Sequence, residues 1–533
     1  MFTDKYLRRY FLKLTGAGIA GAGLLRAGQG TAQTAGPGPT AGVFDVRAFG
    51  AVGDGKALDT PSISQAIEAA AAAGGGTVRF PAGSYLCYSI RLKSNVALYL
   101  GHGAKIVAAD PPPQGASGGY DLPEPNQWDK FQDFGHSHWR NSLMWGEGLE
   151  NVSILGPGLV WGKGLSKGYG PGPRAELPGV GNKAISLKNC RNVLLRDFAI
   201  LHGGHFGVLA TGVDNFTLDN LQIDTNRDGI DIDCCRNVRV SNCSVNSPWD
   251  DGICLKSSYG LGSAKPTELV TITNCYLSGC FEEGTLLDAT YKRFAPNVRV
   301  PHTGRIKFGT ESNGGFRNIT ISNCVFEGCQ GLALETVDGA LLEDVTITNI
   351  SMRDIVSAPI FLRLGSRMRG PEGAPVGVLR RVIVSNLVCS NSVSRFGSII
   401  SGIPGHYIED VKLSNIQVLH QGGGTKENAA VKPQERENAY PEPTMFGTMP
   451  SHGFFIRHVK GIELSHIEIG CMKEDARPAF VLDDVQGAGF SHIQTPHSAD
   501  APTFALSNVQ DFDVHQSRPV PNLYLDRVEQ KTL

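Results

Sequence analysis

The stretch Asn226-Arg227-Asp228-Gly229-Ile230-Asp231 places an acidic residue directly before a run in which apolar side chains alternate with polar ones. The stretch Trp249-Asp250-Asp251-Gly252-Ile253 repeats this arrangement further along the chain. Alternation with a period of two residues predicts a β-strand. Each stretch therefore predicts a strand that begins at a carboxylate, and the two stretches occupy matching places in a repeating unit.

The repeating unit starts with a marker, typically of the form Asn-aliphatic-x-aliphatic. Its first apolar residue recurs at Val152, Val193, Phe216, Val238, Val270, Ile319, Val345, Val382, Val411, Ile462, Ala488 and Phe512. The shortest intervals are 22 to 26 residues, and the longer ones look like one unit plus an insertion. Units of this length hold about three short strands. The repeat predicts an all-β fold, a right-handed parallel β-helix.

The acidic residues lie at a constant distance from the marker. Asp228, Asp250 and His205 each follow a marker residue by twelve positions, so we expect them to form one column in the stack of coils. Adjacent parallel strands lie about 4.8 Å apart, which would make the carboxylates of Asp228, Asp250 and Asp251 close neighbours. Carboxylates this close raise at least one pKa, as a site that needs both an acid and a base requires. The alternative is an exposed acidic turn in each coil, which would solvate the solenoid.

The N-terminal residues have the features of an export signal. The twin-arginine motif Arg8-Arg9-Tyr10-Phe11-Leu12-Lys13 precedes a weakly apolar run from Leu14 to Leu25. Small residues around Thr31-Ala32 offer a cleavage site, so we predict a signal peptide over 1–32. This predicts export of the folded protein to the periplasm or the exterior, with no membrane anchor after cleavage. A merely basic N-terminus is the alternative.

We predict a linker over 33–43, one β-helix domain over 44–515 and a C-terminal tail over 516–533. Within the domain, residues 44–110 should cap the first coil, and an Ala-rich run from Ile63 to Ala73, preceded by Thr60 and Ser62, predicts a capped helix there. Residues 110–180 are rich in Pro and Gly and predict a loop-rich insertion. The widest later insertions, 281–303 and 420–452, should collect on the binding face.

Composition excludes several classes of protein. The formal net charge is −2, so no overall field favours nucleic acid. No stretch is long and apolar enough to span a bilayer. The twelve cysteines contain no Cys-x-x-Cys pair, which argues against a zinc or redox site, and four of them follow an Asn in the repeat: Cys190, Cys243, Cys275 and Cys324. We expect these to stack inside the solenoid and most cysteines to stay reduced.

The motifs resemble those of glycoside hydrolase family 28, the polygalacturonase-like enzymes of the pectin-lyase-like superfamily, over nearly all of the mature chain. Residues 44–85 are similar to the N-terminal segment of the superfamily. The Asn-Thr-Asp motif of the family matches Asn226-Arg227-Asp228, and its Asp-Asp pair matches Asp250-Asp251. The resemblance implies that Asp250 is the general acid. It also implies that Asp228 and Asp251 activate the water, with inversion, and that Asn226 binds substrate.

Physical reasoning reaches the same reaction class, because glycoside hydrolysis needs one protonated and one ionised carboxyl group. Inverting enzymes separate the two by about 6.5–9.5 Å. Coil spacing alone places the backbones only about 4.8 Å apart. The splay of the side chains must therefore supply the difference, and inversion is implied by the resemblance alone.

The chain departs from the family at two motifs. The Gly-His-Gly motif is matched only loosely by His302-Thr303-Gly304, so His302 either tunes the acid or is an ordinary loop histidine. The Arg-Ile-Lys motif, which grips a uronate carboxylate in the family, should fall where Ala333 and Glu335 stand. We expect a glutamate there to repel a uronate. The tripeptide Arg305-Ile306-Lys307 occurs one coil earlier, out of register, and either replaces the missing grip or is an exposed strand.

Further cations are candidates for substrate binding. Lys256 and Arg363 each follow a marker residue by eighteen positions, so we expect them in one column that faces the same way. Each of them is either a substrate contact or a surface charge without a role. The predicted partner is a pectic polysaccharide or oligosaccharide, bound to a monomer.

Two other functions are compatible with these residues. A polysaccharide lyase on the same fold would need calcium held by acidic residues and a basic catalyst, whereas the proposed triad needs no metal or other cofactor. A non-catalytic glycan-binding solenoid would be favoured if one of the three aspartates were missing, and none is.

Overall fold

The computed structural model describes residues 42–132, 134–168, 174–496 and 501–533, and the predicted signal peptide lies outside them. Its architecture is a stack of coils in which almost every strand pairs in parallel with the equivalent strand of the next coil. The described residues contain two α-helices, α1 (Thr60–Ala72) and α2 (Lys426–Ala429), and 3-10 turns at Val46–Phe49, Asp129–Phe131, Phe134–His136 and Pro443–Phe446. None of the described helices is long and apolar enough to cross a membrane.

The strands of the first coils are β1 (Val43–Asp45), β2 (Asp54–Leu58), β3 (Gly76–Phe80), β4 (Gly83–Cys87), β5 (Ile90–Arg91), β6 (Val96–Leu100), β7 (Ala104–Ala108), β8 (Met144–Glu147), β9 (Glu150–Leu155), β10 (Leu159–Trp161), β11 (Lys183–Lys188), β12 (Arg191–Arg196) and β13 (Ala199–Leu201). The middle coils hold β14 (Phe206–Thr211), β15 (Asp214–Asp219), β16 (Gln222–Asp224), β17 (Asp228–Asp233), β18 (Arg236–Ser241), β19 (Ser244–Asn246), β20 (Ile253–Ser257), β21 (Thr267–Thr273), β22 (Tyr276–Ser278), β23 (Ile306–Ser312), β24 (Phe316–Glu327) and β25 (Leu332–Thr336). The last coils hold β26 (Leu341–Arg353), β27 (Ile360–Leu364), β28 (Val378–Ser392), β29 (Ser398–Ser401), β30 (Ile408–His420), β31 (Phe454–Cys471), β32 (Phe480–Gln494), β33 (Phe504–His515) and β34 (Leu523–Thr532).

Asparagine turns the chain at the marker of several coils. Asn192, Asn215 and Asn237 have φ of 56°, 58° and 56°, in the left-handed region that asparagine tolerates better than most residues. Their side chains also bond from coil to coil, since the amide of Asn215 donates to Asn192 at 2.8 Å. The marker therefore specifies a corner, and the apolar residue that follows it enters the core.

The core is a continuous apolar column inside the coils. The marker residues Val193, Phe216, Val238 and Val270 are 2% exposed or less and lie in register from coil to coil. Full burial of such a side chain stabilises the fold by about 1.5–3 kcal/mol. Because each coil buries its apolar side chains only against the neighbouring coils, the coils stabilise one another and the stack is stable as a whole.

Helix α1 covers the first coil, as predicted, and buries Ile63, Ala66 and Ile67. Its cap differs from the prediction, because the N-cap residue is Asp59 and makes no side-chain bond to the helix. The Asp59 carboxylate instead accepts from the backbone of Val52 at 2.6 Å. The preceding loop uses the Asp59 carboxylate as a hydrogen-bond acceptor, so this side chain does not cap the helix.

Two predicted segments contain more regular structure than expected. The range 110–180 includes strands β8, β9 and β10, which pair within the coil stack, so its irregular part is shorter than the sequence suggests. The range 516–533 contains β34, which pairs antiparallel with β33 instead of extending as a tail. An antiparallel strand closes the last edge of the stack, which would otherwise expose unpaired backbone groups.

All twelve cysteines are free thiols, and Cys471 is the one that is not fully buried. The four that follow an asparagine in the repeat lie in the core, as expected from their positions. Burial raises the pKa of thiols in this environment, for example that of Cys235 to about 12. Such thiols are unreactive, so their role here is packing.

Candidate active site

Three carboxylates meet where two strands begin. Asp228 is the first residue of β17, and Asp250 and Asp251 lie in the turn before β20. One oxygen of each carboxylate lies within 4.8 Å of one from each of the others. The side chains of Asp228 and Asp251 are buried, whereas that of Asp250 is 27% exposed. The cluster therefore opens to solvent through Asp250.

The column that brings them together differs from the predicted one by one residue. Asp228 pairs with Phe206 and not with His205. Ile230 pairs with Ile253, an interval of 23 residues, whereas the preceding marker interval is 22. The extra residue puts Asp251, instead of Asp250, in the column of Asp228. Counting from the marker could not detect an extra residue between the marker and the strand.

Asp250 is paired with Arg227, the residue between Asn226 and Asp228 in the motif. The Arg227 Nε and Nη2 atoms donate to Asp250 Oδ2 at 3.0 and 2.7 Å. Both side chains are mostly buried, with exposures of 19% and 27%. Such charge-assisted bonds are about twice as strong as neutral ones. Arg227 thus fixes the exposed carboxylate of the cluster.

Asp251 is held by the tripeptide Arg305-Ile306-Lys307. The Arg305 Nε donates to Asp251 Oδ1 at 2.9 Å, and the Lys307 Nζ lies 3.6 Å from Oδ2. In the sheet, Lys307 pairs with Cys254 of the aspartate coil on one side and with Ala333 on the other. The tripeptide therefore lies one coil before Ala333 and Glu335 and out of register with them, as predicted, since Lys307 and not Arg305 pairs with Ala333. It is not an exposed strand, because Arg305 is 1% and Lys307 2% exposed.

Glu335 lies in the coil after the tripeptide, as the sequence suggested. Its carboxylate is fully buried and 3.8 Å from the Lys307 Nζ. Burial raises the pKa of Glu335 to about 8, so the group is mostly protonated at neutral pH. A neutral Glu335 would not repel a uronate, so the structure does not support the repulsion expected from the sequence.

The 420–452 insertion supplies a further carboxylate. Glu442 accepts a hydrogen bond from the Arg305 Nη2, and its Oε1 lies 3.4 Å from the Lys307 Nζ. The Tyr440 hydroxyl lies 3.3 Å from the same Nζ. The two cations are thus bound by Asp251 from the core side and by Glu442 from the insertion.

A fourth aspartate, Asp231, lies beside the cluster. Asp231 is fully buried, and its carboxylate lies 3.8 Å from the Lys256 Nζ and 3.6 Å from the His136 Nε2. Lys256 also contacts Glu311 at 3.2 Å. Neither oxygen of Asp231 accepts a hydrogen bond from the described residues. The Lys256 ammonium group therefore lies between the carboxylates of Asp231 and Glu311 and is buried.

The environment separates the protonation states of the carboxylates. Burial raises the pKa of Asp228 well above its usual range, and the neighbouring Asp250 and Asp231 raise it further. Burial would also raise the pKa of Asp251, but the Lys307 and Arg305 cations outweigh this effect and hold the pKa below its usual value. One protonated and one ionised carboxyl group therefore lie side by side, as acid–base chemistry requires.

Known proteins resemble the chain in sequence and in fold. A family model described as "Right handed beta helix region" matches residues 178–367, and one described as "Rhamnogalacturonase A/epimerase, pectate lyase-like" matches residues 43–108. A probable polygalacturonase of Vitis vinifera is 23% identical over 430 residues, which cover 76% of this chain and 80% of that protein. The chain is a homologue of the polygalacturonases. The resemblance to glycoside hydrolase family 28 is thereby confirmed.

Two solved structures share the fold of this polygalacturonase homologue. The exopolygalacturonase of Thermotoga maritima has a TM-score of 0.56 and 18% identity, with 92% of this chain and 95% of that chain covered. The family 28 exopolygalacturonase of Yersinia enterocolitica has a TM-score of 0.59 and 18% identity, with coverages of 85% and 79%. The predicted right-handed parallel β-helix is confirmed. A short match, 62% identical over 45 residues, joins the chain to the mannuronan C5-epimerase AlgE3 of Azotobacter vinelandii, of which it covers 2%.

Two of the other predicted binding residues are buried and form hydrogen bonds within the protein. Arg363 is 1% exposed and donates through its Nη1 to Ser401 Oγ at 2.9 Å and through its Nη2 to the carbonyl of Glu435 at 2.9 Å. It therefore anchors the 420–452 insertion and is not presented to substrate, contrary to the prediction. Asn226 is fully buried, and its Oδ1 accepts from the backbone of Arg227 at 3.1 Å.

The His302 ring donates through Nδ1 to the carbonyl of Gly279, 2.8 Å away, and lies against the ring of Phe294. The backbone that follows it contacts the aspartate turn, because the Gly304 N–H donates to the carbonyl of Asp250 at 2.9 Å. A tuning role for His302 stays a prediction.

Sequence reasoning placed His205 in one column with the aspartates but missed His136. His136 comes from the loop-rich range, and His205 stacks on Phe206 with ring centroids 4.2 Å apart. Burial lowers the pKa of His205 well below its usual range, so its ring is neutral. No spacing rule could place His136, because its loop has no repeat.

The three aspartates could hold a metal ion by their separation alone. However, Arg227 already pairs with Asp250, and Arg305 and Lys307 pair with Asp251. A cation would have to compete with these side chains for two of its three ligands. The arrangement is therefore better suited to proton transfer than to metal binding.

Proposed function

We propose that this polygalacturonase homologue is an exported glycoside hydrolase that cleaves glycosidic bonds in pectic polysaccharides or oligosaccharides. The observation that carries the proposal is the approach of Asp228, Asp250 and Asp251 to within 4.8 Å, beside the cations of Arg305 and Lys307. A polygalacturonase-like glycosidase needs this set of groups, since a protonated and an ionised carboxyl must flank the scissile bond. The similarity to polygalacturonases supports the substrate class.

In the proposed reaction, Asp250 donates a proton to the glycosidic oxygen as the bond to the anomeric carbon breaks. It is the exposed carboxyl of the three, so it can reach a bound polymer. Water attacks the anomeric carbon, and Asp251, which stays ionised beside Lys307 and Arg305, takes the proton that the water releases. Asp228 holds the water from the neighbouring coil. Asp250 must first leave its ion pair with Arg227 and take up a proton, for which the neighbouring protonated Asp228 is the nearest source.

We propose inversion of the anomeric centre, as in the family that the motifs resemble. The carboxylate approach of 4.8 Å is shorter than the roughly 6.5–9.5 Å typical of inverting enzymes. Substrate would therefore have to separate the side chains to admit the water. Proton NMR of the first product tests this step, since a product with the anomeric configuration of the substrate would assign a retaining mechanism.

We further propose that rhamnogalacturonan-type fragments, which place a neutral sugar beside a uronate, are cleaved in preference to homogalacturonan. The match of residues 43–108 to a model named for a rhamnogalacturonase and an epimerase supports this direction.

The experiment is to incubate the purified mature protein with homogalacturonan, rhamnogalacturonan and their oligomers, and to analyse the products. Saturated oligosaccharides with new reducing ends are expected. Unsaturated uronides, detected by their ultraviolet absorbance, would assign the protein to the polysaccharide lyases. Binding of these polymers without any product would leave a glycan-binding solenoid.

A further inference from the structure

We propose that Glu442 determines substrate specificity: its carboxylate occupies the Arg305–Lys307 cation pair and adapts the subsite beside Asp251 to a neutral sugar instead of a uronate. This inference rests on the proposed pectic hydrolase function and names the residue that would select the sugar. Glu442 lies in the 420–452 insertion, directly before the 3-10 turn Pro443–Phe446.

The Glu442 carboxylate lies where the carboxylate of a bound uronate would contact Arg305 and Lys307. It bonds the Arg305 Nη2 and lies 3.4 Å from the Lys307 Nζ. The same two cations also contact Asp251, which lies 2.9 Å from Arg305 Nε and 3.6 Å from Lys307 Nζ. The donors that a uronate could use are therefore divided between two protein carboxylates.

The charges at the pair already balance. Arg305 and Lys307 contribute two positive charges, and Asp251 and Glu442 face them with two negative ones. Glu335, which is mostly protonated at neutral pH, adds little to this balance. A uronate carboxylate would introduce an uncompensated negative charge next to the others, and such burial is costly. A neutral sugar would need only hydroxyl hydrogen bonds.

The insertion that carries Glu442 is firmly attached to the β-helix. Arg363 bonds the carbonyl of Glu435 at 2.9 Å, and Arg457 bonds the carbonyl of Pro433 at 2.7 Å. Both guanidinium groups also lie over the buried ring of Phe446, at 5.3 and 5.6 Å. These contacts flank Glu442 on both sides in sequence. Glu442 is thus a fixed part of the subsite and not the tip of a loose lid.

The test compares Glu442→Gln with wild-type protein and with Glu437→Gln. The control removes the same charge from the same insertion, at an exposed side chain that is not bonded to the pair. For each protein, kcat/KM is measured on oligogalacturonate and on rhamnogalacturonan oligomers of equal length. Glu442→Gln should raise kcat/KM on oligogalacturonate at least tenfold and should shift the preference between the two substrates toward oligogalacturonate. The control should change neither.

Direct binding separates this inference from the proposed function. Digalacturonate is titrated calorimetrically into wild-type protein, Glu442→Gln and Glu442→Ala, with circular dichroism to confirm that each variant is folded. At least tenfold tighter binding by the two variants is expected, even if the protein cleaves none of the substrates offered. Equal digalacturonate affinity in all three proteins, or an unchanged substrate preference of an active enzyme, would overturn the role of Glu442.

Discussion

Replacing Asp250 with Asn should abolish turnover while leaving the fold intact. The variant keeps the size of the side chain and an oxygen that can accept from Arg227, but it has no proton to donate. General acid catalysis contributes about 10²–10⁴-fold, which corresponds to roughly 2.7–5.4 kcal/mol of transition-state stabilisation. The rate should therefore fall by at least a hundredfold.

The cost in stability should be small, because the pair of Asp250 with Arg227 is partly exposed, at 27% and 19%. Ion pairs of this kind contribute about 0.2–1 kcal/mol, so the melting temperature should move by no more than about 2 °C. The assay measures reducing ends released from the best substrate, with thermal unfolding measured in parallel.

Asp251→Asn provides the matched comparison. Asp251 is buried between Arg305 and Lys307, and removing one charge from a buried pair typically costs about 3–5 kcal/mol. The loss should lie toward the lower end, since Glu442 still faces both cations. Asp251→Asn should therefore lose both activity and stability, whereas Asp250→Asn loses activity alone. More than a tenth of wild-type activity in Asp250→Asn would refute its assignment as the acid.

Three further outcomes are expected. Activity should survive EDTA without accumulation of an ultraviolet-absorbing uronide, because the proposed triad needs no metal, and chelator-sensitive release of such a chromophore would indicate a lyase. Changing Arg8 and Arg9 to Lys should retain the precursor in the cytoplasm, as cell fractionation would show, and normal export would disprove the twin-arginine route. The raised pKa of Glu335, about 8 against an ordinary 4.5, means that the folded state holds a proton that the unfolded state releases. Glu335 should thus lower stability as the pH rises from about 5 to 8, and Glu335→Gln should reduce that decline in melting temperature, which an unchanged pH profile would contradict.

The sequence by itself was sufficient for the fold and for the three aspartates. The reason is that a β-helix repeats local rules: an asparagine such as Asn215 turns the chain in the left-handed region, and the apolar residue after it enters the core. Asp228 and Asp251 begin or precede neighbouring strands. Parallel pairing then brings their carboxylates together.

Only the tertiary structure decided what surrounds those carboxylates. One extra residue between a marker and β20 moved Asp251, and not Asp250, into the column of Asp228. The sequence placed Arg305-Ile306-Lys307 one coil before Glu335, but it could not show that the two cations bind Asp251. Glu442 reaches Arg305 across 137 positions in sequence. Contacts of that kind depend on how an insertion folds back over the coils, and no periodicity in the chain encodes them.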